Sequence, residues 1–364
     1  MSQNILVIGS TGNLGKILLK YCYKNNIKID AITSFRNQLL QNKQQSLYKI
    51  KKGFCLNKEI EKTNFKKFLL SKKFKFVYFL DYGSFSLTYI DLILKNNSNT
   101  YICIANKEMI IAGGSYLVKK IKKTRNKLIP LDSEHFSLIN SNISNKSIDK
   151  IYITASGGPF YFKKNINLNN VSLSQVLNHP KWKMGYNNSI DSSNFINKIL
   201  EIYEVSIIYN IPISKIDFII SKQAFIHSIV FYNDGIITFN SFKNDMLLTL
   251  TYPLNEFFTL KNKISSDNYL LNISNFQFNK NFDDRYIFFK FYKEMRKFNH
   301  EEQILLMLLN NFAQSLYLSN KLQYDKIISY TMKKLKIYKS KAYLNNIPSI
   351  LKFIKSVKDK INND

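Results

Sequence analysis

Two short stretches of this 364-residue chain combine carboxylates, amides and a lysine at spacings that could do chemistry. Asp132-Ser133-Glu134-His135 sets two carboxylates two residues apart. In an extended segment such a pair converges from one side and suits a hard divalent cation such as Mg²⁺ or Mn²⁺. A solvated acidic turn would read the same way. A third carboxylate comes from the segment Asp191-Ser192-Ser193-Asn194-Phe195-Ile196-Asn197-Lys198-Ile199-Leu200-Glu201, which reads as an N-cap followed by an amphipathic helix. On that helix Asn197 and Glu201 share a face, Lys198 is adjacent, and Ser192 lies by the helix start, where a phosphate is favoured. The plainer alternative is a capped helix with a surface glutamate.

Three further segments carry polar groups suited to the same ligand. Thr154-Ala155-Ser156-Gly157-Gly158-Pro159-Phe160 ends a strand in a turn whose bare backbone amides can approach an anion closely. His179-Pro180-Lys181-Trp182-Lys183-Met184-Gly185 holds the only tryptophan and reads as a lid, a large ring on a hinged loop that closes over a substrate. A loop histidine and a core tryptophan are the alternatives there. Ala105-Asn106-Lys107-Glu108 follows a strand, and ligands of open parallel sheets sit outside the carboxyl ends of strands. A nucleophilic triad is not expected: Ser156 lacks the G-x-S-x-G elbow and no cysteine lies beside a histidine.

The elements that must position these groups are legible upstream. Ile5–Ile8 reads as a buried strand, Gly9-Ser10-Thr11-Gly12-Asn13-Leu14-Gly15 as a glycine-rich phosphate turn, and Lys16–Lys24 as the helix it opens. Further strands are expected at Ile29–Thr33, Phe76–Leu80, Tyr101–Ala105 and Lys127–Leu131, with helices between them, which is the doubly wound α/β pattern. Where a carboxylate would bind the ribose hydroxyls of NAD, the chain has Thr33-Ser34-Phe35-Arg36-Asn37. A cation there favours the extra 2′-phosphate of NADPH, unless Arg36 is an ordinary surface arginine. Strands are also expected at Ile151–Ala155 and Ile236–Phe239, and helical periodicity at Gln303–Leu318, Lys326–Leu335 and Ile347–Ile361.

Composition narrows the class. The formal charge of +28 would attract polyanions, but the lysines are scattered and no nucleic-acid-reading motif aims them, so no specific nucleic-acid partner is expected. No stretch approaches the roughly 20 apolar residues of a membrane span, so no membrane association is expected. No signal or transit peptide is expected, since the residues before Ile5 lead straight into a buried-strand pattern. Three unpaired cysteines, Cys22, Cys55 and Cys103, fit a reducing cytoplasm.

Taken in order, ANKE at 105–108, LDSEH at 131–135, TASGGPF at 154–160, HPxWxMG at 179–185, DSxxxxNKxLE at 191–201 and IHSIV at 226–230 resemble the 1-deoxy-D-xylulose 5-phosphate reductoisomerase family, whose GSTGxxG loop precedes them as it does here. The resemblance spans nearly the whole chain and is strongest from 105 to 235. It implies an NADPH-dependent enzyme that converts 1-deoxy-D-xylulose 5-phosphate to 2-C-methyl-D-erythritol 4-phosphate, for isoprenoid precursors, by metal-assisted rearrangement and then hydride reduction. The implied fold has an N-terminal Rossmann-type NADPH domain (1–131), a central α+β catalytic and dimer-forming domain (132–255), a linker (256–287) and a C-terminal helical domain (288–364).

Carried over by position, Asp132, Glu134 and Glu201 are the implied metal ligands. Ser156, Ser192, Asn197 and Lys198 match the phosphate-holding set, while Lys107, Ser133 and His179 match contacts to the carbon skeleton, with Trp182 covering it. Lys107, Glu134, His179 and Glu201 form the implied catalytic group. Thr11, Gly12, Asn13, Leu14, Arg36, Asn37, Asn106, Glu108 and Gly185 fall at NADPH positions. A homodimer is implied as well. Three departures stand out: Phe35 replaces a small residue, Ser221-Lys222 replaces a His-Pro, and an Asn-Ala-Ala-Asn-Glu element shrinks to something like Asn310-Asn311. The rival readings are another NADP-dependent dehydrogenase, which leaves the three carboxylates unexplained, and a basic binding protein that keeps only a nucleotide-binding fold.

Overall fold

The computed structural model describes residues 4–141, 143, 147–178, 185–258, 276–280 and 283–362. Up to residue 136 the elements are β1 (Ile5–Ile8), α1 (Asn13–Lys24), β2 (Ala31–Ser34), α2 (Gln38–Leu47), β3 (Lys52–Cys55), α3 (Glu59–Ser71), β4 (Phe76–Phe79), α4 (Leu87–Asn96), β5 (Tyr101–Ile104), α5 (Lys107–Lys123), β6 (Lys127–Pro130) and the single turn α6 (Ser133–Phe136). There follow β7 (Ile148–Ala155), α7 (Leu173–Leu177), α8 (Tyr186–Ser193), α9 (Ile196–Tyr209), β8 (Ile216–Ile220), β9 (Ile226–Tyr232), β10 (Ile237–Ser241) and α10 (Met246–Thr251). The helices α11 (Ile287–Met295), α12 (His300–Leu318), α13 (Ile327–Tyr338) and α14 (Ile347–Asn362) close the chain.

These elements form two compact units, Met1–Ile139 with Lys243–Leu270, and Asn140–Phe242 with Leu271–Asp364. The first is built on a parallel sheet in the order β3-β2-β1-β4-β5-β6. Its central strands are continuous apolar runs, Ile-Leu-Val-Ile and Phe-Val-Tyr-Phe, buried along their whole length as a sheet covered on both faces requires. The order reverses between β1 and β4, the crevice where such sheets take a dinucleotide. The second unit carries a mixed sheet, β10-β9-β7-β8, in which β7 runs parallel to β8 and antiparallel to β9.

This division differs from the one expected from sequence. The turn after β6 stays with the first unit because Phe136 packs edge-on against Tyr252, at 5.1 Å between ring centroids, and Tyr78 donates its hydroxyl to Leu250 O. The C-terminal helices pack on the same unit as the second sheet. Tyr203 of α9 donates to Met295 O, and Tyr292 of α11 donates to Asp217 of β8. Strand β3 was not foreseen, since Lys-Gly-Phe-Cys buries only its last two residues and carries a glycine. Among the described residues, no helix is long and apolar enough to cross a membrane.

Candidate active site

In the first unit, the turn after β1 places Gly12 as the N-cap of α1, so the helix opens three residues earlier than its periodicity suggests and the amides of Asn13 and Leu14 belong to its first turn. Gly9 and Gly15 are required by the chain itself. A Cβ on Gly9 would lie 2.5 Å from the backbone nitrogen of Asp81, and one on Gly15 would lie 2.5 Å from Ser10 O. A Cβ on Gly12 would meet nothing closer than 3.6 Å. Internal packing does not explain that glycine, whereas close approach by a ligand phosphate does. The turn is braced from the neighbouring elements: Thr33 O accepts from Ser10 N, and Gln44 both accepts from the Ser10 hydroxyl and donates to Ser10 O. Past β2, the side chain of Asn37 caps α2 through Leu40 N, and the Arg36 guanidinium stands 5.7 Å from the centre of the Phe35 ring.

At the carboxyl ends of β4 and β5 the structure adds a residue that sequence reasoning missed. Asn106, expected to contact the cofactor, caps α5 by accepting from Met109 N and donates to Gly83 O and to Asp81. Both of its amide hydrogens are therefore spent on bracing, and its role is to hold the Asp81–Gly83 turn in place. Asp81 also accepts from the Ser86 hydroxyl at 2.6 Å. Desolvation raises its pKa to about 6 against the opposing pull of those hydrogen bonds. Burial likewise raises Glu108, opposed by backbone amides, by Lys107 and by Tyr82. The sole sequence signal for Asp81 is an acid directly after a buried strand.

The carboxylate pair after β6 has a different geometry from the extended one expected. Asp132 is the N-cap of α6 and accepts from Glu134 N at 3.2 Å, because a carboxylate before a helical turn satisfies an otherwise orphan amide. Asp132 forms an ion pair with Lys107 at 2.7 Å, and Glu134 accepts from the Ser133 hydroxyl.

In the second unit, β7 runs into the Ser156-Gly157-Gly158 turn, where Gly158 N donates to Ser156 Oγ. Gly158 has φ +61°, and a Cβ on it would lie 2.9 Å from Ser192 O, so the glycine lets this turn close against the end of α8. Asp191, expected to cap the helix bearing Glu201, instead lies inside α8 and is buried. The segment is two helices rather than one, joined at Phe195, which adopts the left-handed conformation with φ 69°. Phe195 holds that uncommon backbone while packed among Tyr161, Phe218, Tyr286 and Phe289. One oxygen of Asp191 accepts from both Asn310 and Gln314, an i, i+4 pair on α12.

Helix α9 then presents the expected trio. Glu201 is 1% exposed and accepts from Lys198 Nζ at 2.5 Å through one oxygen and from Asn197 Nδ2 through the other. A buried carboxylate needs such partners, and Lys198 is itself buried. Gly185 is the exposed N-cap of α8 with no atom near its would-be Cβ. His179 and Trp182 lie outside the described residues.

Comparison with known proteins places this arrangement. Residues 128–209, from β6 through α9, match the 1-deoxy-D-xylulose 5-phosphate reductoisomerase C-terminal domain. The 1-deoxy-D-xylulose 5-phosphate reductoisomerase of Pelagibacter ubique is 30% identical over 361 residues, covering 91% of this chain and 90% of that one. The enzyme of the same name from Clostridium novyi is 33% identical over 271 residues, 73% of this chain and 69% of the other. A crystal structure of DOX-P reductoisomerase in complex with NADPH, fosmidomycin and magnesium superposes with a TM-score of 0.84 at 21% identity over 99% of this chain and 98% of that one. The Zymomonas mobilis enzyme in complex with NADPH gives 0.81 at 20% identity, with the same coverage. At those identities the structures establish the shared fold, and the sequence relatives establish descent. The chain belongs to the 1-deoxy-D-xylulose 5-phosphate reductoisomerase family.

Proposed function

We propose that this protein is an NADP-dependent oxidoreductase that converts 1-deoxy-D-xylulose 5-phosphate to 2-C-methyl-D-erythritol 4-phosphate in isoprenoid precursor biosynthesis. The observation that carries the reading is the alignment, over nine-tenths of both chains, with a relative of that name. The phosphate turn after β1 and the Asn197-Lys198-Glu201 face of α9 support it from the site.

The donor chemistry fits the two groups the reaction needs. Asp132, Glu134 and Glu201 offer only oxygen ligands, the set a hard Mg²⁺ or Mn²⁺ takes, and a cation held by them would supply Lewis-acid polarisation of substrate oxygens. The open face of Gly12 and the α1 amides would hold the pyrophosphate of NADPH, which supplies the hydride. Thr11, Asn13, Leu14, Arg36, Asn37, Glu108 and Gly185 complete that seat, with Asn106 acting through the Gly83 turn.

The remaining roles belong to the chain's own side chains. Lys198 and Asn197 bind the substrate phosphate together with Ser156 and Ser192. Lys107 and Ser133 orient the carbon skeleton, Lys107 from an ion pair that fixes its ammonium beside Asp132. His179 and Trp182 keep the skeleton-contacting and covering roles that the family resemblance implies. We place the enzyme in the cytoplasm, in line with its free, buried cysteines. We also assign it a homodimeric state, supported by the edge strand β10, which leaves Ile237 and Phe239 exposed.

The test follows NADPH absorbance with deoxyxylulose phosphate and Mg²⁺ or Mn²⁺, then with chelator. Turnover that needs the metal is expected. No oxidation in the presence of metal overturns the reading, and oxidation undiminished by chelator overturns the metal assignment. Sedimentation of the purified chain checks the dimer.

A further inference from the structure

Phenylalanine 35 is an odd residue to leave in water. It follows β2 directly, is 49% exposed, and among the described residues has Phe85 as its aromatic neighbour, which meets it edge-on at 5.7 Å. Phe85 is anchored in turn, edge-on against Tyr89 at 5.6 Å, and Tyr89 is buried against Phe65. The backbone on either side of Phe35 is also fixed. Ser34 is buried and donates to Gln41, Phe35 O accepts from the Cys55 thiol, and Asn37 caps α2. The ring is thus an immobilised apolar face turned outward, with a guanidinium beside it. Its site is tied to the phosphate turn, because Thr33, two residues earlier, accepts from both Gly9 N and Ser10 N.

A dinucleotide whose pyrophosphate lies on the turn after β1 sends its adenosine half toward the carboxyl end of β2. What waits there is an aromatic face next to a cation. Aromatic rings stack on nucleobases through their π-faces, and a ring already immobilised loses little entropy in doing so.

We propose that Phe35, backed by Phe85, is the surface on which the adenine ring of the cofactor stacks, with Arg36 taking the 2′-phosphate beside it. The inference rests on the NADPH reading above and adds to it a residue that sets cofactor affinity in this chain. The packing of Phe85 under Phe35 gives the two aromatics one function: Phe85 sets the tilt of the ring that meets the base.

The experiment measures binding rather than turnover. Wild type, Phe35→Ala, Phe35→Trp and Arg36→Ala are titrated with NADPH, NADH and 2′,5′-ADP, the last carrying adenine and the 2′-phosphate without nicotinamide. Phe35→Ala is expected to weaken NADPH and 2′,5′-ADP by the same factor, roughly 10-fold, the size of one lost base–aromatic contact. It should leave the preference for NADPH over NADH unchanged, and Phe35→Trp should restore affinity. Arg36→Ala should instead erode that preference. Affinity of Phe35→Ala within about 2-fold of wild type, or a Phe35→Trp variant as weak as the alanine one, overturns the stacking role while leaving the NADPH reading intact. A wild-type chain that binds neither NADPH nor 2′,5′-ADP overturns both.

Discussion

The turn after β1 and the turn after β7 both finish a strand in glycine beside a helix end, yet the chain needs those glycines for different reasons. In the first, Gly9 and Gly15 relieve clashes with the backbone of Asp81 and Ser10, and Gly12 alone is left open to a ligand. Its braces come from Thr33 and Gln44, yet the amides it offers to an anion lie within the turn and the helix it opens. In the second, Gly158 lets the strand end close on Ser192 O, and under the proposed function the charge comes from Lys198 on another helix, held against Glu201. A turn that offers its own amides recurs in many nucleotide-binding chains and says little about substrate.

Changes that strike one turn and spare the other test that contrast. The largest effect is expected from Glu201→Gln, which removes a charged oxygen donor: turnover should fall on the order of 10³-fold, the several kcal/mol that metal charge stabilisation is worth. NADPH affinity, read by fluorescence titration, should stay within about 2-fold. Collapse of cofactor binding in that variant would mean the two turns are not separable. Next comes Gly15→Ala, whose Cβ meets Ser10 O at 2.5 Å. It should cost about 1–3 kcal/mol of stability in a denaturant titration, in line with overpacking elsewhere. Gly12→Ala, with room for its methyl, should melt like the wild type but bind NADPH less tightly. Equal melting losses in both variants would refute the distinction drawn between these glycines.

A smaller loss is expected at the support of the second turn. Gln314→Ala removes a donor to the buried Asp191 and should cost about 1–2 kcal/mol, seen as a lower Tm, with NADPH binding unchanged. An effect of similar size, confined to low pH, concerns Asp81, beside the first turn. Its folded pKa of about 6 lies above the ordinary 3.8, so the folded chain holds this proton more tightly than the unfolded one. The resulting stabilisation is complete below pH 3.8, falls as pH rises, and is lost above about pH 6. Asp81→Asn does not titrate, so its Tm relative to wild type should be higher at pH 7.5 than at pH 4.5. A difference that does not change with pH would remove Asp81 from the titrating groups.

What could be read in advance follows the same line between local and remote. The strand Ile5–Ile8, its glycine turn and the Asn197–Glu201 face declare themselves within a dozen residues, and the structure differs from that reading in opening the helix three residues earlier, inside the glycine run. The break at Phe195 could not be read, because a left-handed phenylalanine has no sequence signature and Asp-Ser-Ser imitates a helix start. Gln314 was invisible for another reason: the carboxylate it serves lies 123 residues away. The Asp132 cap was misjudged because one helical turn is too short to leave a periodic trace.

The buried joint at Phe195 also bears on how the site comes into being. Ser192 precedes it and Asn197, Lys198 and Glu201 follow it, so their mutual placement depends on one strained backbone angle. The rings that enforce that angle come partly from Tyr286, Phe288 and Phe289, nearly a hundred residues later in synthesis. Ser192, Asn197, Lys198 and Glu201 have therefore left the ribosome well before the rings that fix their mutual placement exist. A nascent or truncated chain ending before residue 286 would carry these four side chains without the rings that hold Phe195 in its left-handed turn between them.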